Sequence, residues 1–222
     1  MNKKKASLLF NVLIVLFEII GIIETLKINN KISFEYYTED SNILALISST
    51  LFVIYLIRNK KIPRWLQIFK YATTICLSIT FIVVLFVLGP MYNFNYSFLL
   101  FDRALFFQHL VCPILCFITF ILFDYIKPLD IVDNFIGLIF TLIYSLILII
   151  LNLLEVVTGP YPFLMVKEQS ISMSIAWSIS LFVLSYMIAL SLRVLIKKHY
   201  DKIKKIKDKT KEILKRGKES NN

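Results

Sequence analysis

Residues 134–157 read NFIGLIFTLIYSLILIILNLLEVV, a run in which Glu155 is the one charged side chain. An α-helix rises about 1.5 Å per residue, so this run can cross the roughly 30 Å hydrocarbon core of a bilayer. The whole chain is 58% hydrophobic and contains five similar runs. The predicted spans cover residues 6–26, 41–57, 66–88, 104–123, 134–157 and 171–195. The sequence therefore predicts an all-α, polytopic membrane protein with six transmembrane helices.

The basic residues are distributed unevenly between the two sides of the predicted bundle. Only four of the 25, namely Lys27, Lys31, Arg103 and Lys167, fall on one side. Loops rich in lysine and arginine stay cytoplasmic, so both termini are predicted to be cytoplasmic. The first run contains Glu18 and is too long for a signal peptide, so we expect a retained helix. The use of Ile, Lys and Asn favours a bacterial plasma membrane.

Residues 197–222 are predicted to form a basic cytoplasmic tail after a transmembrane domain of residues 1–196. This tail carries a net charge of +7, out of +10 for the chain, with apolar residues at helical spacing. Such a segment is typical of an amphipathic helix on anionic inner-leaflet lipids, and the last ten residues are alternatively a solvated anchor. Nucleic-acid binding is not expected, because no aromatic platform accompanies the charge.

His109 is the one histidine within the predicted helices. An ionisable residue in a membrane interior is a functional-site hypothesis by default. The topology places Thr38, His109 and Glu155 near the outer boundary, and the cytoplasmic half shows no comparable polar cluster. Pro113 lies four residues after His109 and predicts a bend there, because proline has no N–H to donate. The alternatives are structural: His109 as a contact between helices and Thr38 as a helix cap.

Cys112 and Cys116 lie one helical turn apart, and His109 precedes Cys112 by three residues. A metal site would need further ligands from other helices. Buried free cysteine is also a common apolar filler. We therefore predict no metal and no cofactor.

Three segments together resemble a known family. They are residues 34–42 (FEYYTEDSN), His109 with Pro113, and residues 158–164 (TGPYPFL). In the same order, they resemble segments of small bacterial six-helix membrane proteins. Those proteins are similar to the animal androgen-induced and androgen-dependent tissue-factor-pathway-inhibitor-regulating proteins. The animal members are threonine hydrolases of fatty acid esters of hydroxy fatty acids, so the resemblance implies Thr38 as nucleophile and His109 as general base.

The predicted function is thus a lipid-ester hydrolase whose substrate enters from the outer leaflet. Such a site needs an oxyanion donor, for which we expect a helix N-terminal amide near Asn42. Glu155 or Asp102 is expected to orient His109, and Tyr161 is expected to line the site. The expected partners are membrane lipids and the ester substrate.

Two other functions fit the residues as well. One is a proton-coupled transporter with Glu18, His109 and Glu155 as a relay. Such proteins often have broken helices at the membrane midplane, whereas the Gly-Pro pairs of this chain lie at the ends of predicted helices, which counts against a transporter. The other is a non-catalytic membrane scaffold in which His109 only holds the bundle together.

Overall fold

The structure is a computed structural model that describes residues 2–219. For residues 211–212 and 214–219 it describes the helical backbone but not the side chains. The described residues form no strand but one short 3₁₀ helix at Pro162–Leu164 and seven longer helices, six of them long enough and apolar enough to cross a membrane. They are α1 Lys3–Asn29, α2 Tyr37–Ile57, α3 Arg64–Met91, the short α4 Tyr96–Phe101, α5 Arg103–Asp124, α6 Ile131–Leu153 and α7 Ile171–Glu219. The prediction of an all-α fold with six helices long and apolar enough to span a membrane is confirmed for the described residues.

The outer surface of the bundle is apolar, as a lipid-facing surface must be. On α6, the side chains of Ile139, Ile143, Leu146, Ile147 and Ile150 are all exposed. Their spacing follows the helical period and marks one face. Tyr144 and Asn152 of the same helix lie off this face and are buried instead.

Helix α3 lies at the centre and packs against α2, α5, α6 and α7. Its side chains Tyr71, Ile75 and Leu77 are fully buried. The Tyr71 hydroxyl donates to the carbonyl of Ala189 on α7 at 2.6 Å, so a polar contact fixes the position of α7 within an apolar core.

The two ends of the bundle differ in charge. At one end, Lys3 donates to the carbonyl of Tyr125 at 2.9 Å, and Arg64 forms an ion pair with Asp133. We call this the basic end. It contains the N-terminal ends of α1, α3 and α6 and the C-terminal end of α5. It also contains the part of α7 that follows residue 196, which we call the extension of α7. Both ends of the described chain lie there; their cytoplasmic location and the plasma membrane stay predictions.

Three helix boundaries differ from the predicted ones by one full turn or more. Helix α2 begins at Tyr37 rather than near residue 41. In its first turn, the Glu39 carboxylate accepts the Ser33 N–H at 2.6 Å. Acidic residues suit the first turn of a helix. Helix α6 ends at Leu153, because the Asn152 side chain donates to carbonyls of the following loop. Helix α7 continues past residue 196, the expected domain boundary; residues 220–222 of the predicted tail lie outside the described residues.

Candidate active site

Thr38 and His109 meet at the end of the bundle opposite the basic end. Thr38 is the second residue of α2, and His109 lies in a π-helical segment of α5, Phe106–Val111. The Thr38 Oγ1 and His109 Nε2 atoms are 3.4 Å apart. Both residues are buried, with exposures of 9% and 5%. The structure thus brings the two residues predicted as nucleophile and base into direct contact.

The second ring nitrogen of His109 fixes the tautomer. Its Nδ1 lies 2.8 Å from the carbonyl oxygen of Leu99, which is buried in α4. A carbonyl can only accept a hydrogen bond, so Nδ1 carries the proton in neutral His109. The Nε2 lone pair consequently faces the Thr38 hydroxyl, as a general base requires.

The helix around His109 is irregular. Pro113 has no N–H to donate to the His109 carbonyl, and the chain before it forms the π-helical segment. Local π-helical turns of this kind are frequent at functional sites. The disruption predicted from Pro113 therefore takes the form of a widened turn that carries His109 inward.

Asn42 ties the two helices of the site together. Its side-chain amide donates to the carbonyl of Thr38 at 2.7 Å and to that of Gln108 at 3.3 Å. The Ser41 hydroxyl also donates to the Thr38 carbonyl, at 3.0 Å. Asn42 lies more than a turn inside α2, so the free N-terminal amides belong to Tyr37 and Thr38 instead. Its position corrects the expectation of an oxyanion donor near Asn42.

Tyr161 approaches Thr38 from the loop after α6. Gly159, at a φ of 91°, permits the turn that leads into it. Tyr161 lines both cavities that border Thr38, near the Thr38 hydroxyl and the backbone of Tyr37 and Thr38. Burial raises the pKa of Tyr161 to about 12, and these neighbouring donors partly oppose that rise. The phenol is therefore neutral at physiological pH and can donate a hydrogen bond at the site.

Two cavities meet at Thr38. The first is about 310 Å³ in volume and is lined by Thr38, His109, Tyr161 and the polar side chains of Asn29, Glu39 and Gln108. The second is smaller, about 40 Å³, and mostly apolar. It shares Thr141, Ser145, Phe163, Leu181 and Ser185 with a cavity of about 230 Å³ between α6 and α7. Thr38 thus separates a polar space from an apolar one.

The acids expected beside His109 are placed elsewhere. Glu155 lies in the loop after α6 and pairs with Lys167; its side chain is 75% exposed. The hydrogen bond and the charge of Lys167 hold the pKa of Glu155 below its usual value. Asp102 precedes α5, and the Leu99 carbonyl occupies the His109 nitrogen that it would have oriented. A relay from Glu18 through His109 to Glu155 is therefore not formed.

A second polar cluster, which the sequence analysis missed, lies toward the basic end. The Asp124 carboxylate accepts hydrogen bonds from Ser7 at 2.5 Å and from Asn11 at 2.9 and 3.0 Å. Lys70, which lies within the predicted third span, is fully buried in α3 and donates to Ser49. The signal was present, because polar residues inside apolar runs face a bundle interior. The expectation that this half holds no comparable cluster is wrong.

The cysteines are free and buried. Among the residues that the structure describes, no three His, Cys, Asp or Glu side chains are grouped so that they could hold a metal ion. Cys112 and Cys116 are fully enclosed by the bundle.

The site combines a hydroxyl, a base with a fixed tautomer and several hydrogen-bond donors beside a cavity. These are the parts that acyl-transfer chemistry uses. Comparison of the chain with protein-family models, curated proteins and solved structures gave no match.

Proposed function

We propose that this protein is a membrane-embedded lipid-ester hydrolase with Thr38 as nucleophile and His109 as general base. The observation that carries the proposal is the contact between Thr38 Oγ1 and His109 Nε2, at 3.4 Å, with Nδ1 held by a carbonyl. Catalytic hydrogen bonds are often long before substrate binds and shorten afterwards. The motif resemblance to threonine hydrolases points to the same two residues.

The first half of the reaction forms an acyl-enzyme. His109 Nε2 removes the Thr38 proton as Thr38 Oγ1 attacks the ester carbonyl carbon. The tetrahedral intermediate collapses, the bond to the alcohol oxygen breaks, and the alcohol leaves with the proton from His109. The acyl group then remains as an ester of Thr38.

The second half releases the acid. A water molecule gives a proton to His109 Nε2 while its oxygen attacks the acyl carbon, and the Thr38 oxygen leaves with that proton. In both halves the carbonyl oxygen becomes negative. The Tyr161 hydroxyl and the first amides of α2 lie beside Thr38 and are the available donors to it.

The cavities suggest how an ester would lie. The acyl chain suits the apolar space that leads between α6 and α7, since the side chains around it are mostly hydrophobic. The alcohol part suits the polar cavity that contains Gln108 and Glu39. With both termini cytoplasmic, the site faces the outer leaflet of a plasma membrane, from which a lipid could enter sideways.

The test combines covalent labelling with ester turnover in purified, detergent-solubilised protein. A fluorophosphonate should add once to the wild type, as measured by intact mass, and the adduct should be lost in Thr38→Ala. His109→Asn is the informative partner variant, because its amide can still donate to the Leu99 carbonyl while it cannot act as a base. We expect hydrolysis of long-chain p-nitrophenyl esters to fall about 10²- to 10⁴-fold in His109→Asn.

Thr73→Ala is the matched control. Thr73 is buried in α3 and lines none of the cavities near Thr38, and its hydroxyl donates to the Lys70 carbonyl at 3.0 Å. This variant should keep both the adduct and the turnover. An adduct that persists in Thr38→Ala, or a folded wild type that neither reacts nor hydrolyses esters, would refute the proposal.

A further inference from the structure

A cavity of about 250 Å³ opens at the basic end, far from Thr38. It lies between the start of α1, the end of α5 and the extension of α7. Its charged and aromatic lining consists of Lys3, Tyr125, Tyr200, Lys204, Lys207 and Asp208. The cavity is therefore formed by three separate parts of the chain and does not belong to the helix extension alone.

The walls of this cavity are held by specific contacts. Lys3 donates to the Tyr125 carbonyl at 2.9 Å, and its ammonium lies 3.6 Å from the centre of the Tyr125 ring. On the other side, His199 Nδ1 lies 3.0 Å from the Ile121 carbonyl and fixes α7 against α5. The rings of Tyr125 and Tyr200 meet edge to face. These contacts define the cavity before any ligand enters.

The charges around the cavity do not balance. Three ammonium groups face it, while Asp208 is the acidic residue in its lining. Lys3 and Lys207 are close enough for their like charges to repel. Asp124, whose charge also acts on Lys3, is buried and already accepts from Ser7. An anion in the cavity would relieve the repulsion.

We propose that this cavity binds a phosphate group, supplied by the headgroup of an anionic phospholipid. Lysine ammoniums bind phosphate oxygens as point charges, and Lys3 has N–H groups beyond the one given to Tyr125. Ile126 and Ile203 complete the wall and offer apolar surface to the glycerol region of a lipid. Basic pockets at the inner ends of transmembrane helices bind such headgroups.

The test measures which lipid stays on the full-length protein. The protein is equilibrated with equal amounts of phosphatidylglycerol and phosphatidylcholine in mild detergent, and bound lipid is counted by native mass spectrometry. The wild type should retain phosphatidylglycerol preferentially. Lys204→Gln/Lys207→Gln should lower that retention about tenfold or more, since each basic residue near anionic lipid contributes to binding.

Two matched variants separate a defined site from diffuse charge. Lys202→Gln/Lys205→Gln removes the same charge from exposed positions of the same helix that do not line the cavity, and it should retain the lipid. Lys204→Arg/Lys207→Arg should also retain it. Equal loss in both glutamine variants, or no preference for phosphatidylglycerol in the wild type, overturns the proposal.

Inorganic phosphate identifies the source of the group. If a phospholipid is the ligand, phosphate alone should leave the unfolding temperature and the lipid count unchanged. If phosphate alone raises the unfolding temperature of the wild type but not of Lys204→Gln/Lys207→Gln, the site takes free phosphate, and the lipid assignment is overturned.

Discussion

Gly137 tests whether α6 packs on α3 as closely as the structure shows. A Cβ atom at this position would lie 2.7 Å from Ile75 Cδ1 and 3.0 Å from Tyr71 Cε1. Tyr71 cannot retreat, because its hydroxyl bonds to the Ala189 carbonyl and its ring stacks on Phe120. Overpacking costs about 1–3 kcal/mol, and alanine in a helix regains at most about 1 kcal/mol over glycine. Two contacts at 3.0 Å or less favour the upper part of that cost, so Gly137→Ala should lower the free energy of unfolding by about 1–2 kcal/mol.

The nearest contact can be removed to check the cause. Ile75→Val deletes Cδ1 and on its own should cost about 0.5–1.5 kcal/mol. In the double variant the new methyl group has room. The double variant should therefore lose about 0.5–1 kcal/mol less free energy of unfolding than the sum of the losses in the two single variants. Unfolding in mixed micelles of mild detergent and SDS, followed by the fluorescence of Trp65 and Trp177, measures all four proteins.

Gly21→Ala is the control for the general effect of alanine. Its Cβ would lie 3.3 Å from Cγ of Gln108, the nearest atom and part of a flexible side chain, so we expect a change well below that of Gly137→Ala. A Gly137→Ala protein as stable as the wild type, or strict additivity with Ile75→Val, would refute the close packing of α6 on α3.

Two further predictions concern charged groups. Asp124→Ala removes the acceptor shared by Ser7 and Asn11 and should cost about 1–3 kcal/mol in the same unfolding assay, because buried donors lose their partner; a neutral result would contradict the bonding described. Glu155→Gln should leave labelling and unfolding unchanged at neutral pH, because its pair with Lys167 is exposed. The pKa of Glu155 is lowered in the folded state, so any stabilisation from this pair is present above its unfolded pKa and is lost as the pH falls through the folded one.

Hydropathy alone was sufficient to predict the six membrane-crossing helices. Long apolar runs need only length and composition to be recognised, and the structure has helices at all six positions. Helix ends depend on contacts that a single sequence does not display. Glu39 accepts an N–H from Ser33, and Asn152 reaches the carbonyls of the next loop. Because of these contacts, the observed start of α2 and the observed end of α6 each differ from the predicted position by about one turn.

The candidate site was predictable in part. The predicted topology placed Thr38 and His109 at the same end of the bundle, and the structure adds that their side chains are in contact. The group that orients His109 is a main-chain carbonyl, that of Leu99. No side-chain pattern indicates which carbonyl will point at a histidine, so reasoning from residue types favoured acids such as Glu155. The inner cluster around Asp124 and Lys70 was missed for a different reason, namely that polar residues near helix ends are usually expected to meet headgroups and water.

A buried histidine in a membrane bundle can hold helices together or perform chemistry, and its two nitrogens separate these roles. The bond from Nδ1 to the Leu99 carbonyl, at 2.8 Å, already meets the structural need. Thr38 and His109 stand at 3.4 Å on the wall of a cavity. The Nε2 atom of His109 is thus left for the proposed general-base role, because catalytic hydrogen bonds are often long before substrate binds and shorten as the proton is transferred.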